Sequence, residues 1–444
     1  MHPWPLFKPM SQGPALQTLP GFRDFYPEEC AARNYIFAQW RETCRRYGFH
    51  EYEGPILEST DLYRKKSGDE IVDQLFAFED KGERDVSMRP ELTPTLARMI
   101  HARQRDFKKP MRWFSIGPFF RYERAQITKG RLREFYQFNC DIVGETAEGV
   151  DSEIISLAID LMHGFGFDRD DFVVRISDRD AWLDFAKAQG ISEEQTSAFL
   201  QCIDKMEREK EDVTAKQLQV LGTSLETVRQ FIADGTANVP RLERLMNQLN
   251  AQGKDQCCVV DLGIVRGLAY YSGVVFEIFD KKHGLRAIAG GGRYDGLIRQ
   301  LCGGKVDIPA AGFGMGDAVI GNLIDKGGEP KSRLTEYVDK AFSIDAYVVV
   351  ASESKRPQAI AGVQLLRDAG LRVHYPYGAA KVGKQFKAAE SHQAAAAIVF
   401  GDEFPSIGVK NLVTRSEITI DSTDTLVNTV LEIVNEPHPS PLLA

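Results

Sequence analysis

Two strand-like segments, Arg112 to Phe120 and Phe135 to Val143, are joined by the polar, basic stretch Arg121 to Glu134. Such a pair reads as an antiparallel hairpin, and the long loop on it is where function concentrates. The loop's charge is the second constraint. From His101 to Glu134 there are ten Lys/Arg against three Asp/Glu, a local +7 inside a chain of formal charge −8. A basic run is usually a solvated face, but these arginines lie between strands and beside aromatics, which favours a phosphate site.

The chain of 444 residues gives a prior of about three structural units. With 43% hydrophobic and 27% charged residues it reads as soluble and globular. The longest apolar runs, Ala394 to Phe400 and Ala346 to Ala351, are far too short to span a bilayer. The net negative charge gives no global attraction to nucleic acid, so any polyanion must be met locally. The seven cysteines (30, 44, 140, 202, 257, 258, 302) show no C-x-x-C spacing, which suggests neither zinc nor disulfides and fits a reducing, cytoplasmic setting. No H-E-x-x-H, G-x-S-x-G or P-loop pattern occurs, so covalent catalysis is not expected. Residues 1–18 are expected to form a mobile arm without a secretory signal, and 437–444 a disordered tail.

Pro27 and two glutamates suit the start of a helix running to about Tyr47, with Ile36, Phe37, Trp40 and Cys44 as its apolar stripe. A short strand to Pro55 follows Gly48. From 177 to 253 the pattern is helical and reads as an insertion. Strand character returns at Cys257 to Leu262 and Val274 to Phe279, followed by Gly290-Gly-Gly-Arg-Tyr-Asp-Gly and Gly312-Phe-Gly-Met-Gly, while Lys326 to Ser332 has linker composition. After Ser343, strands (Ala346 to Ala351, Arg372 to Pro376, Ala394 to Phe400) alternate with helices (Gln358 to Ala369, Lys381 to Ser391), which implies a separate, mostly parallel α/β domain.

Four segments carry candidate chemistry. Phe120-Arg121-Tyr122-Glu123 ends a strand with a planar five-donor fork suited to phosphate, although alone it reads more readily as a surface ion pair. Arg89-Pro-Glu91-Leu-Thr93 offers acceptors for an ammonium, with a helix N-cap as the plain structural alternative. In Phe135-Tyr-Gln-Phe-Asn-Cys-Asp141 the odd positions Phe135, Gln137, Asn139 and Asp141 share one face, either lining a pocket or simply wet. Arg266-Gly-Leu-Ala-Tyr-Tyr271-Ser-Gly sets an arginine and two tyrosines before an apolar strand.

Together these segments resemble the histidyl-tRNA synthetase family of class II aminoacyl-tRNA synthetases, from about Leu19 to Glu436. Pro20-Gly-Phe-Arg-Asp with the following helix is similar to motif 1, the family's dimer interface. Phe120 to Phe135 is similar to motif 2. The segments at Arg266 and Gly291-Gly-Arg-Tyr-Asp-Gly resemble the two histidine-specific signatures. The resemblance implies an α+β catalytic domain (19–335) with an antiparallel sheet flanked by helices, interrupted by a helical insertion (177–253), and a C-terminal α/β anticodon-binding-type domain (343–436). It implies that Glu91, Thr93 and Gln137 hold the ammonium of histidine, that Asp141 and Tyr271 contact its imidazole, and that Tyr294 lines the pocket. Arg121 and Arg266 would bind the ATP phosphates catalytically, with Glu123 and Arg131 near adenine or triphosphate. It further implies ATP with Mg2+, no zinc, tRNA(His) as partner, and a cytoplasmic homodimer.

Three departures stand out. Ala318 occupies the place where the arginine of motif 3 is expected, Ala269 replaces an aspartate of the first signature, and the motif 2 loop from Arg124 to Arg131 lacks a proline. The first keeps open a rival, the histidine-binding regulatory subunit of ATP phosphoribosyltransferase, which shares the catalytic fold. A pure tRNA-binding protein is the third class. The C-terminal domain carries nine basic and eleven acidic residues, so RNA affinity there must come from specific contacts. Lys381, Lys384 and Lys387 recur at helical spacing, as an ordinary solvated face also would.

Overall fold

The computed structural model describes residues 18–67, 74–126, 130–206, 209–265 and 270–436. The expected arm (to 17), the tail (437–444), part of the motif 2 loop (127–129) and the segment 266–269, with Arg266 and Ala269, lie outside the described residues. Helix α1 (Pro27–Arg46) starts as its residues dictate: proline lacks only a hydrogen bond that its position could not make, and Glu28 and Glu29 meet the positive end of the helix dipole. Then come β1 (His50–Glu51), β2 (Leu57–Ser59), α2 (Thr60–Ser67), β3 (Phe76–Glu79), β4 (Asp85–Met88) and α3 (Thr93–Arg103). Strands β2, β4 and β3 form a small antiparallel sheet.

The hairpin forms in full: β5 (Met111–Phe120) and β6 (Glu134–Val143) pair antiparallel from Met111 opposite Val143 to Phe120 opposite Glu134. Helix α4 (Gly149–Phe165) and strand β7 (Phe172–Asp178) follow, and neither was expected from the sequence. Most of α4 is buried, Ile155, Leu157 and Ala158 completely, so no polar stripe marks it as a helix. The helical stretch comprises α5 (Arg179–Ala188), α6 (Glu193–Lys205), α7 (Glu211–Val220), α8 (Leu225–Asp234) and α9 (Pro240–Ala251). Trp182, Phe185, Phe199 and Phe231 pack edge-on or stacked at its centre. Next are β8 (Cys258–Val260), β9 (Val274–Asp280), β10 (Ala289–Arg293), α10 (Leu297–Leu301), β11 (Ala310–Gly316), α11 (Asp317–Ile324) and α12 (Gly328–Phe342). The stretch of linker composition therefore enters a helix, with Pro330 tolerated in the first turn and buried beside Leu334.

The large sheet has the order β1-β5-β6-β11-β10-β9-β7-β8. It is mixed and not wholly antiparallel, because β1 runs parallel to β5 and β8 parallel to β7. Both edges are joined to their neighbours by long, helix-bearing crossovers, which return the chain in the same direction, whereas tight turns reverse it. One face of β6 packs on helices: Phe138 stacks on Trp40 of α1 at 5.6 Å, and Trp40 Nε1 donates to Met315 Sδ of β11 at 3.3 Å.

The chain divides into two compact units between Thr335 and Glu336. The second contains β12 (Ala346–Val350), α13 (Arg356–Asp368), β13 (Val373–His374), α14 (Val382–Ser391), β14 (Ala396–Phe400), β15 (Ile407–Asn411), β16 (Glu417–Ile420) and α15 (Leu426–Asn435). Its sheet runs β13-β12-β14-β15-β16; the first three strands are parallel, but β14, β15 and β16 form an antiparallel meander. The expectation of a mostly parallel domain is corrected there, because the short connections after Phe400 and Asn411 leave no room for crossover helices. Among the described residues no helix is long and apolar enough to cross a membrane.

Candidate active site

The other face of β6 floors a cavity of about 390 Å³, lined by Glu91, Thr93, Arg121, Gln137, Asn139, Asp141, Tyr270, Tyr271 and Tyr294 among others. Strand alternation aims Gln137, Asn139 and Asp141 into it while Phe138 and Cys140 are buried behind. Room for these side chains comes from the neighbouring strand. Gly312 pairs with Asp141 and Gly314 with Asn139; a Cβ on Gly312 would lie 2.1 Å from Asp141 Oδ1, and one on Gly314 2.7 Å from Gln137 Nε2. The glycine-rich segment is thus a strand whose alternate residues are hollowed out beneath the cavity.

Asp141 is 6% exposed, and the Tyr294 hydroxyl donates to its Oδ1. Burial raises the carboxyl to about 7, against the opposing pull of that hydrogen bond. Tyr294 is itself pushed well above its ordinary value, by burial first and then by Asp141. Its neighbours explain the rest of the signature. Arg293 grips Asp151 of α4 through Nε (3.1 Å) and Nη2 (3.0 Å), and Asp295 accepts from the Ala310 amide of β11 at 3.2 Å. Gly291 permits close approach, since a Cβ there would lie 2.2 Å from the Gly312 carbonyl. Only the tyrosine of Arg293-Tyr294-Asp295 lines the cavity; the arginine and aspartate fix the strands that carry it.

The segment bearing Glu91 and Thr93 hangs on Arg89, whose side chain is fully buried. Its Nη1 donates to Glu53 (2.6 Å) and the Gly54 carbonyl (2.9 Å), and its Nε to the Pro118 carbonyl (2.9 Å). The Arg89 carbonyl takes the Phe120 amide at 3.0 Å, and Arg121 Nε donates to the Pro90 carbonyl at 3.0 Å. Arg121 is thereby held over the Phe135 ring, 5.1 Å from its centroid.

A second cleft of about 250 Å³ shares Arg121, Gln137, Gly290 and Gly314 with the first and adds Glu123, Arg131, Phe135, Glu277, Arg286 and Val319. Arg131 Nε and Glu123 Oε2 are 3.0 Å apart. The structure therefore groups Glu91, Thr93, Gln137, Asp141, Tyr271 and Tyr294 around one cavity, Glu123 and Arg131 around the other, and Arg121 at their junction. Arg266 lies outside the described residues. Asn139 and Arg286 also line these spaces without having been chosen as site residues: the alternation of β6 contained the signal for Asn139, whereas a single arginine after Lys281-Lys-His-Gly-Leu gave none. At the start of α11, Ala318 is 3% exposed and absent from the cleft lining; Val319 lines it instead, so this turn presents an apolar wall.

A mixed sheet of this order, carrying a cleft on one face and followed by a separate α/β unit, defines a class II aminoacyl-tRNA synthetase fold. A crystal structure of histidyl-tRNA synthetase from a Nostoc species covers 95% of this chain and 100% of its own, with TM-score 0.74 at 22% identity. One titled as an ATP phosphoribosyltransferase regulatory subunit/histidyl-tRNA synthetase, from Bacillus halodurans, covers 85% and 97% with TM-score 0.67 at 20% identity. At these identities the likeness speaks for the fold alone. The family model described as histidyl-tRNA synthetase matches residues 21–316, and an anticodon binding domain model matches 345–433. The histidine–tRNA ligase of Opitutus terrae is 41% identical over 428 residues, which is 91% of this chain and 95% of that one. The chain belongs to the histidyl-tRNA synthetase family, aminoacyl-tRNA ligases that take ATP as a substrate.

Proposed function

We propose that this chain is a histidine–tRNA ligase that activates L-histidine with ATP to histidyl-adenylate and transfers the histidyl group to the 3' end of tRNA(His). The observation that carries the reading is Asp141, a carboxylate buried at the floor of an amino-acid-sized cavity and held by Tyr294. An imidazole N–H needs such an acceptor, and a site with a buried unpaired acceptor rejects apolar analogues strongly. Tyr271 supplies a second contact to the ring, while Glu91, Thr93 and Gln137 receive the ammonium.

The histidine carboxylate then points to the junction held by Arg121. There it attacks the α-phosphorus in line and expels pyrophosphate, a step that needs positioning and cationic stabilisation of the equatorial oxygens more than a protein nucleophile. Arg266 enters as the second arginine on its resemblance. Glu123 and Glu277 line the nucleotide cleft and suit magnesium, which is held by one or two carboxylates together with substrate phosphates. When bound, it neutralises triphosphate charge. In the second step the terminal ribose hydroxyl of tRNA attacks the mixed anhydride, releasing AMP, with residues 343–436 reading the anticodon and 177–253 approaching the acceptor stem. A cytoplasmic homodimer is part of this reading; Leu19, just before the motif 1 segment that would form its interface, and Tyr26, within that segment, are each 66% exposed.

Histidine-dependent ATP–pyrophosphate exchange is the test. A chain with no exchange is a binding-only paralogue, and the proposal fails. Arg266→Ala should lower exchange by orders of magnitude while leaving the thermal midpoint in place.

A further inference from the structure

Arg121, Arg131 and Arg286 line the second cleft against two acids, Glu123 and Glu277. Two of the guanidiniums are engaged: Arg131 by Glu123, and Arg121 by the Pro90 carbonyl and the Phe135 ring. Arg286 is different. It stands on the connection between β9 and β10, is an exposed residue, and among the described residues it makes no ion pair or hydrogen bond. Partial desolvation, then repulsion from Arg131 and later Arg121, push it below its ordinary value, with only Glu123 opposing. The connection is not loosely placed: Ala287, Ile288 and Ala289 line the same cleft, and the Ile288 amide donates to the Ile278 carbonyl at 2.8 Å. A fold that sets a third guanidinium against two of its own kind creates a local positive potential that a polyanion relieves.

We propose that Arg286 is a third phosphate-binding arginine of this cleft, meeting the β- and γ-phosphates of ATP, the part that departs as pyrophosphate. This rests on reading the cleft as the nucleotide site. The assignment to the distal phosphates follows from position: the α-phosphorus must lie at the junction of the two cavities, where the histidine carboxylate reaches it beside Arg121, and Arg286 lines only the second.

The full chain, Arg286→Ala and Arg286→Lys test this by exchange kinetics and by calorimetric titration with ATP, AMP and inorganic pyrophosphate. A charge-assisted bond to phosphate predicts that the alanine variant weakens ATP and pyrophosphate by about tenfold to a hundredfold. AMP affinity and the KM for histidine should stay within about twofold, with lysine restoring part of the loss and the thermal midpoint unchanged. Unaltered ATP and pyrophosphate binding overturns the proposal. So does an equal loss for AMP, which would place Arg286 on the base or α-phosphate. If the parent chain shows no exchange, the ligase reading fails, while the titrations of parent and variant still decide Arg286.

Discussion

Arg23 Nη2 donates to Asp317 Oδ2 at 2.7 Å across 294 positions of sequence, and Asp317 Oδ1 accepts the Tyr136 amide at 2.9 Å. One carboxylate, 3% exposed at the head of α11, therefore ties the segment before α1 to β6. Arg23 also lies over the Phe25 ring, 4.8 Å from its centroid. Its pairing gives the arginine of Pro20-Gly-Phe-Arg23 a structural duty.

Removing one member of so buried a pair strands the other, so Arg23→Ala is expected to destabilise the first unit by about 3 kcal/mol. Denaturant unfolding of that unit measures it. Asp317→Asn should cost a comparable amount, and the double variant less than the sum. A change under about 0.5 kcal/mol would show the pair to be idle.

Gly312→Ala puts a methyl where the Asp141 carboxylate and the Cys140 carbonyl already lie, at 2.1 and 2.6 Å. Its KM for histidine should rise at least about tenfold as the carboxylate is displaced. Gly316→Ala is the control, because a Cβ there meets nothing within 4 Å. Equal behaviour of the two would contradict the described floor.

Asp141 titrates near 7 in the folded chain and near 3.8 in the unfolded one. The folded state thus binds the extra proton between these values, so this group's contribution to stability declines as pH rises from about 4 to about 7 and is flat above. Histidine binding has the opposite sign, since the acceptor form is the ionised one. The KM for histidine should fall by up to about tenfold per pH unit on approaching 7. Asp141→Asn should remove that component of the profile and flatten the stability curve over the same window. A profile unchanged by the substitution would separate Asp141 from the imidazole.

Asn139 Nδ2 is buried at the cavity wall with no partner among the described residues. Leaving a donor unsatisfied costs about 1–3 kcal/mol, so Asn139→Ala should stabilise the ligand-free protein. If the donor is kept for histidine, the same variant should raise the histidine KM by about tenfold and leave the ATP KM alone. A variant both less stable and fully active would refute this.

Local chemistry wrote much of the fold into the chain. Proline and acids started α1, the alternation of β6 separated Gln137, Asn139 and Asp141 from Phe138 and Cys140, and the basic loop marked the hairpin whose Arg121 and Arg131 line the second cleft. These are preferences acting over one turn or one strand, so neighbouring residues suffice to specify them. Helix α4 escaped because burial on nearly all sides erased its period, and β15 (Ile407-Gly-Val-Lys-Asn) and β16 (Glu417-Ile-Thr-Ile) because they carry no continuous apolar run of the kind that marks β12 and β14.

Tertiary packing alone decided the direction of the edge strands and the entry of a linker-like stretch into α12. It also decided that Val319, and not Ala318, lines the cleft, and that Arg286 joins Arg121 and Arg131 there. The protonation of Asp141 belongs to the same class, since desolvation depends on every group that closes over the carboxyl. Residues fix the period and face of their own element, whereas which elements meet, and how much water is left between them, is settled only when the whole sheet and its helices pack.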